Sequence, residues 1–246
     1  MPQGRTLDSY KDLCAQFYDL DKPAPPRGEL DFYWRRYQRC GGPALEAMCG
    51  TGRFLVDLAL RGADIDGVDA SPQMLDACRR RAAAAGVAPG LHQQFLQDLD
   101  VPRRYRLVLI PAGSFQLILY DDQLPCLRAL VRHMLPGAEL LLDMDLPGES
   151  DGPPSADPDR RVIRPDGAAI VLSWEPDGRM RYDLVRDGRV LHTELETFML
   201  HPLSRAELEG MLRAAGLTGT RAWTPGTEDP APPDASSAIF VCEKAR

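Results

Sequence analysis

The residues best suited to ligand chemistry lie in one short stretch, residues 45–54. Its letters, LEAMCGTGRF, take an apolar strand into the glycines Gly50 and Gly52 and then into a helix. Glycines let the backbone approach a ligand that a Cβ atom would keep away. The free N–H groups at the start of a helix favour an anionic or strongly polar part of a ligand. The stretch therefore predicts a loop that binds a polar ligand.

Two acids extend this candidate site. Asp69 ends the next predicted strand, and Asp98 follows the third. In a parallel sheet, ligands bind outside the carboxyl ends of the strands, and a carboxylate there accepts hydrogen bonds from ribose hydroxyls. A pair of glycines alone is a weak signal, whereas the glycines with both spaced acids make a strong one.

The elements that must position these residues alternate between strand and helix. Ser71 is a suitable N-cap, Pro72 fits the first helical position, and Gly86 ends that helix. Such alternation predicts βαβ units and a mainly parallel sheet. Strands are predicted at 44–48, 63–68, 91–96, 106–110 and 139–144, and helices at 54–61, 72–85 and 122–135.

The alternation stops at residues 147–160, which are a loop by composition. Asp-Gly turns then predict β-hairpins in three or four antiparallel strands up to residue 200. A helix over 204–215 opens with the capping box of Ser204 and Glu207. Strands at 217–223 and 238–242 complete the chain. At the other end, 7–20 and 29–40 are predicted as short amphipathic helices.

One position separates the glycine stretch from the nicotinamide fingerprint G-x-G-x-x-G, because Leu55 stands at the third glycine. An acid, Glu46, also lies on the first strand. With Glu46 to Gly52, Asp69, the pair Asp98–Leu99 and the turn at 136–138, the sequence resembles the class I S-adenosylmethionine-dependent methyltransferases. Within that family it is most similar to small-molecule enzymes of the sugar-amine N-methyltransferase type, whose A-x-x-Y-D motif is echoed at residues 15–19.

The resemblance implies an α/β fold, a Rossmann-like seven-stranded mainly parallel sheet with helices on both faces and an inserted antiparallel β-sheet after strand five. The implied domains are an N-terminal helical lid at 1–42, a cofactor-binding domain at 43–147 and 201–246, and the β insertion at 148–200.

The resemblance also assigns roles in binding S-adenosylmethionine, with S-adenosylhomocysteine as the product. Gly50 and Gly52 would admit the methionine part, Glu46 would bind its ammonium group, and Tyr18 would close over its carboxylate. Asp69 would bind the ribose. Met48 stands where the family often has glycine or alanine, so its side chain either crowds the methionine part or turns into the core. The other cofactor-binding residues it implies are Cys49, Ala70, Met74, Asp98, Leu99 and Pro111.

The acceptor is expected beside the loop that follows strand four. Ser114 and Gln116 would bind it there, and His201 would take a proton as the catalytic residue. The second N-terminal helix would supply an acceptor wall from Tyr33, Trp34 and Arg36. Each of these residues also has a purely structural reading.

Composition limits the partners. The formal net charge is −7 and basic residues nowhere form a run of five, which argues against nucleic acid. The six cysteines form no C-x-x-C pair, and no apolar stretch is long enough to span a membrane. The N-terminus has no apolar signal region. We therefore expect a cytoplasmic enzyme without a metal, acting on a small molecule.

Three readings stay open in the sequence. A methyltransferase acting on N or O of a small molecule is favoured. The alternatives are a nicotinamide- or nucleotide-dependent Rossmann enzyme and a non-catalytic module that binds S-adenosylmethionine. A homodimer is open as well.

Overall fold

The structure is a computed structural model that describes residues 7–146 and 160–245. Residues 1–6, 147–159 and 246 lie outside the described residues, so the predicted loop at 147–160 is not described except for residue 160. The helices in the described part are α1 Asp12–Asp21, α2 Arg27–Cys40, α3 Leu55–Leu60, α4 Pro72–Ala85, α5 Tyr120–His133 and α6 Arg205–Ala214. The strands there are β1 Ala44–Ala47, β2 Ile65–Asp69, β3 Leu91–Gln93, β4 Tyr105–Ile110, β5 Met134–Asp145, β6 Arg160–Ile163, β7 Ala169–Trp174, β8 Met180–Arg186, β9 Arg189–Glu196, β10 Leu217–Trp223 and β11 Ser237–Lys244.

The main sheet has seven strands in the order β10-β11-β5-β4-β1-β2-β3. Neighbours among β1 to β5 run parallel, and β11 runs antiparallel to both β5 and β10. The predicted α/β fold with a mainly parallel seven-stranded sheet is therefore confirmed. Its apolar strands are buried from both faces, as the continuous burial of β1 and the inner part of β5 shows.

The predicted insertion after strand five is a separate four-stranded antiparallel sheet, β6-β7-β8-β9. It lies between β5 and α6 in the chain. Helix α6 begins with the predicted capping box, in which Ser204 and Glu207 bond each other's backbone N–H. The division into a lid, a cofactor domain and an insertion stays a prediction.

Some predicted boundaries were wrong. The third strand ends at Gln93, and a 3-10 helix over Leu96–Asp98 replaces its predicted end. Helix α5 stops at His133, so that the Pro136–Gly137 turn lies inside an irregular start of β5. Strand β9 ends at Glu196, short of the predicted residue 200.

Helix α1 joins the inserted sheet to the main domain. Its apolar face packs on Met74 of α4 and on Ile170, Met180 and Tyr182 of the insertion. No neighbouring side chain caps its first N–H groups. Carboxylates of β9 bind these groups instead. Glu196 accepts hydrogen bonds from the N–H groups of Tyr10 at 2.8 Å and Lys11 at 2.7 Å, and Glu194 accepts from Leu13 at 2.8 Å. Negative charge at a helix N-terminus is stabilising, so β9 anchors α1.

Candidate active site

A cavity of about 890 Å³ opens at the carboxyl ends of β1, β2, β4 and β5, beneath α1 and the inserted sheet. Twelve of the eighteen residues predicted for the site line it. These are Tyr18, Glu46, Met48, Cys49, Gly50, Asp69, Ala70, Met74, Pro111, Ser114, Gln116 and His201. The parallel sheet brings them together because the loops that follow successive strands meet at one edge.

The glycine loop turns through left-handed backbone at three positions. The φ angles are +57° at Met48, +54° at Gly50 and +78° at Gly52. A Cβ on Gly50 would meet only the Met74 sulfur, at 4.0 Å, so the backbone is open to a ligand there. A Cβ on Gly52 would lie 2.5 Å from the Cys78 sulfur, so Gly52 serves the close packing of the loop on α4 and does not line the cavity.

Asp69 ties this loop to the start of α4. One carboxylate oxygen accepts from the Gly50 N–H and the other from the Ser71 N–H, both at 2.8 Å. Burial raises the pKa of Asp69, and the backbone hydrogen bonds oppose that rise. An ionised carboxylate offers about four acceptor sites, so hydrogen-bonding capacity toward a ligand remains.

Glu46 is the most deeply buried acid at the cavity, with 2% of its surface exposed. Its Oε2 atom has no hydrogen-bond partner among the described residues. Burial raises the pKa of Glu46 well above its usual value, and the nearby Arg53 partly offsets this. A buried carboxylate oxygen without a partner, at the wall of a cavity, is suited to bind a cation.

A cationic corner lies beside Glu46, and the sequence reasoning missed it. The Arg53 guanidinium stands 5.5 Å from the centre of the Tyr18 ring, and the Lys22 ammonium stands 5.4 Å from the same ring. The Arg53 Nε atom is buried without a partner in the described part of the chain. The position of Arg53, directly after Gly52 at the start of a helix, was the available signal. This corner is suited to bind a carboxylate.

The predicted pair Asp98 and Leu99 is not at the cavity. The 3-10 helix that begins at Leu96 turns Asp98 outward, where its side chain is exposed, while Leu99 packs into the core at 3% exposure. Gln94, Phe95, Leu96 and Gln97 line the wall in their place. The wall there is apolar in its middle and carries an amide at each end.

The predicted acceptor wall on α2 is also wrong. Tyr33 is fully buried and packs edge-on to Phe54, with ring centres 5.3 Å apart. Trp34 stacks on Tyr37, and Arg36 lies between the rings of Phe32 and Trp223. Helix α2 is thus a packing helix that does not line the cavity, and α1 and the inserted sheet cover the site.

The loop after β4 reaches the cavity as predicted, but two of its side chains are already engaged. The Ser114 hydroxyl donates to the Pro111 carbonyl at 2.8 Å. The Gln116 amide donates to the Asp145 carbonyl at 3.0 Å and accepts from the Asp145 N–H at 3.1 Å. Both side chains therefore shape the wall, and Gln116 fixes Asp145, a cavity residue that was not predicted.

His201 is held at the same place by its backbone. Its N–H donates to the Gln116 carbonyl at 2.7 Å, and its carbonyl accepts from the Gln123 amide at 3.2 Å. Its Nε2 atom is buried with no partner in the described part of the chain. The imidazole is thus positioned at the cavity with a ring nitrogen available for a ligand.

Neither metal ligands nor disulfides occur at this site in the described residues. No group of three or more His, Cys, Asp or Glu side chains in those residues has metal-binding geometry. The six cysteines, all within the described part, form no disulfide. No helix of the described part is long and apolar enough to cross a bilayer.

Comparison with known proteins agrees with this geometry. Residues 44–137 match the model of the methyltransferase domain family. A ubiquinone biosynthesis O-methyltransferase of Xanthomonas axonopodis pv. citri (strain 306) is 24% identical over 148 residues, which are 55% of this chain and 59% of that protein. The chain thus spans well under two thirds of the length of this relative.

Solved structures share the fold over nearly the whole chain. The CcbJ methyltransferase of Streptomyces caelestis has a TM-score of 0.70 at 23% identity, over 96% of this chain and 97% of that one. The sugar N-methyltransferase KedS8 of Streptoalloteichus sp. ATCC 53650 has a TM-score of 0.71 at 20% identity, over 100% and 97%.

Proposed function

We propose that this protein is an enzyme that transfers a methyl group from S-adenosylmethionine to N or O of a small molecule. Its residues 44–137 match the methyltransferase domain family, and a sugar N-methyltransferase shares its fold. The observation that carries the proposal is the buried Glu46, whose unpartnered oxygen lies at the same cavity as the Gly50 loop and Asp69. A buried carboxylate oxygen without a protein partner is suited to a cationic ligand group, which would compensate its charge.

The cavity residues fit the methyl donor group by group. Glu46 would bind the ammonium of the methionine part, and Arg53 with Tyr18 would bind its carboxylate. Asp69 would accept from the ribose hydroxyls, while Met74 and Leu96 would pack on the adenine ring. The donor supplies a methyl group already activated on a sulfonium, so the protein mainly binds and orients.

His201 would act as the base that takes a proton from the acceptor. Its backbone is held on both sides, and its Nε2 atom is unpartnered at the cavity. An imidazole nitrogen without a protein partner is suited to accept a proton from a bound acceptor. Cytoplasmic location and a possible homodimer stay predictions, and so does the absence of nucleic acid or membrane partners.

Calorimetric titration with S-adenosylhomocysteine, S-adenosylmethionine and NADH tests the proposal. We expect both adenosyl compounds to bind and NADH not to bind. Glu46→Gln should weaken the binding of S-adenosylhomocysteine by about 1.5–3 kcal/mol, the range for a lost hydrogen bond to a charged group. The matched control is Asp76→Asn, an exposed acid of α4 paired with Arg79 at the surface, which should bind normally.

The same variant separates binding from folding. Because ionising the buried Glu46 is unfavourable in the folded protein, Glu46→Gln should be at least as stable as wild type at neutral pH. Weaker binding together with unimpaired stability therefore identifies a ligand-binding acid. Binding of NADH but of neither adenosyl compound would refute the proposed function.

A further inference from the structure

We propose that the carboxylate of Asp145 binds the methyl acceptor as an ammonium ion, and that the acceptor is an amine with an apolar body. This inference rests on the proposed function, since it assigns the second substrate of the same cavity. Asp145 was not among the residues predicted for the site.

The main chain of Asp145 is fixed while its carboxylate stays available. The residue ends β5, and the Gln116 amide bonds both its N–H and its carbonyl. The side chain is exposed at the cavity and has no hydrogen bond or ion pair within the described ranges. A Cβ on Gly113 would lie 3.2 Å from its Oδ2 atom, so the carboxylate lies against the loop after β4.

Gln116 holds His201 at the same time. Its side chain binds Asp145, and its backbone carbonyl accepts from the His201 N–H at 2.7 Å. One buried residue thus connects a carboxylate and an imidazole that both line the cavity. An ammonium ion is complementary to this pair, because it donates to the carboxylate and can release a proton to the imidazole Nε2 atom.

The outer wall of this part of the cavity is apolar. Leu119, Met199 and Leu200 line it with exposed fractions of 59%, 57% and 45%. Large exposed apolar side chains grouped at one opening are typical of a ligand groove. They favour an acceptor that carries its amine on an apolar body.

The described cations of the cavity gather at α1. Among the described lining residues these are Lys22, Arg53 and Arg160. Lys22 and Arg53 lie over the Tyr18 ring, and Arg160 pairs with Asp21, so all three contact α1. The charge of Asp145 acts on Lys22, but its carboxylate forms no ion pair with these three cations within the described residues.

The step that this site supports is a balanced transfer. The bound ammonium gives one proton to His201 Nε2, which frees the nitrogen lone pair. The new nitrogen–carbon bond forms as the sulfur–carbon bond of the donor breaks, and the electron pair of that bond stays with sulfur. The nitrogen becomes a methylated ammonium, which Asp145 still neutralises.

The test uses the full chain saturated with S-adenosylhomocysteine and a matched pair of probes, 4-phenylbutylamine and 4-phenylbutan-1-ol, titrated by calorimetry at pH 8. The amine is protonated there, since alkylamines have a pKa of about 10. We expect wild type to bind the amine about tenfold or more tightly than the alcohol, as for a hydrogen bond between charged groups. Asp145→Asn and Asp145→Ala should lose that preference and leave alcohol and S-adenosylhomocysteine binding unchanged.

Asp8→Asn is the matched control, because Asp8 lines the same cavity but pairs with Lys11 at 2.8 Å. It should keep the preference for the amine. The inference is overturned if the Asp145 variants bind the amine as wild type does, or if the loaded wild type binds no amine. Failure of wild type to bind S-adenosylhomocysteine would be a different result, which removes the proposed function itself.

Discussion

Asp143 is a buried acid whose charge should lower the stability of the folded protein. It lies on β5, is 8% exposed, and accepts a hydrogen bond at 2.9 Å from the N–H of Ala112, a residue with φ of +57°. Burial, reinforced by the negative charge of Glu29, raises the pKa of Asp143 from 3.8 to about 7. The substitution Asp143→Asn removes the charge and keeps an oxygen for Ala112.

The direction of the effect follows from the raised pKa. The folded protein holds the proton that the unfolded chain has already released, so wild type loses stability as pH rises from about 4 to about 7. A change from 3.8 to about 7 corresponds to roughly 4 kcal/mol in full, at about 1.4 kcal/mol for each tenfold change in ionisation. Between pH 5 and pH 8 the linkage relation gives roughly 2–3 kcal/mol.

Urea unfolding of both proteins at pH 5, 6, 7 and 8 measures this contribution. The free energy of unfolding of Asp143→Asn minus that of wild type should grow by that amount across the series. Asp234→Asn, at an exposed position, should give a flat difference. A flat difference for Asp143→Asn would show that the carboxylate is ionised in the fold without loss of stability, and the reasoning from burial would fail.

Three further predictions concern how the cavity is held. Glu196→Ala removes two hydrogen bonds from the start of α1 and should lower stability by about 1–3 kcal/mol in urea unfolding, with faster proteolysis near residue 10. Gly52→Ala should be destabilised by at least about 1 kcal/mol in a thermal melt, because its Cβ would lie 2.5 Å from the Cys78 sulfur at a φ of +78°; wild-type stability would disprove the contact. Gln116→Leu should leave the affinity for S-adenosylhomocysteine unchanged in calorimetry. It should lower the rate of methyl transfer to an amine at least tenfold, the scale expected when a reacting group is misplaced. A turnover equal to that of wild type would mean that Asp145 does not need the hydrogen bonds from Gln116.

The fold could be predicted because its signals are local. Ser71, Gly86 and the box of Ser204 with Glu207 mark helix ends through contacts only a few residues apart. Glu46 and Asp69 could be predicted to share one cavity for the same reason, since they lie at the ends of neighbouring strands. Strand ends in a parallel sheet meet at one edge whatever the distant chain does.

The side-chain positions that the sequence could not show depend on contacts between distant segments or on a small local change of the backbone. The 3-10 helix after β3 changes which side chain faces the cavity. The segment is too short for a periodic pattern that would show that Phe95 lines the cavity and that Asp98 does not. The amphipathic pattern of α2 indicates burial but not the surface on which the helix packs, so Trp34 and Arg36 were predicted at a cavity that they do not line. Asp145 gains its position from Gln116, which is 29 residues away.

The hydrogen bonds from Glu194 and Glu196 to the start of α1 have a consequence for protein engineering. They connect the N-terminal segment to the inserted sheet across about 180 residues of chain. The N-terminal segment and the inserted sheet, which together cover the cavity, should therefore be exchanged together between relatives, although they are separate in the chain. A chimera that takes β6 to β9 from a relative, in order to change the acceptor, should fold well only if residues 7–21 come from the same parent.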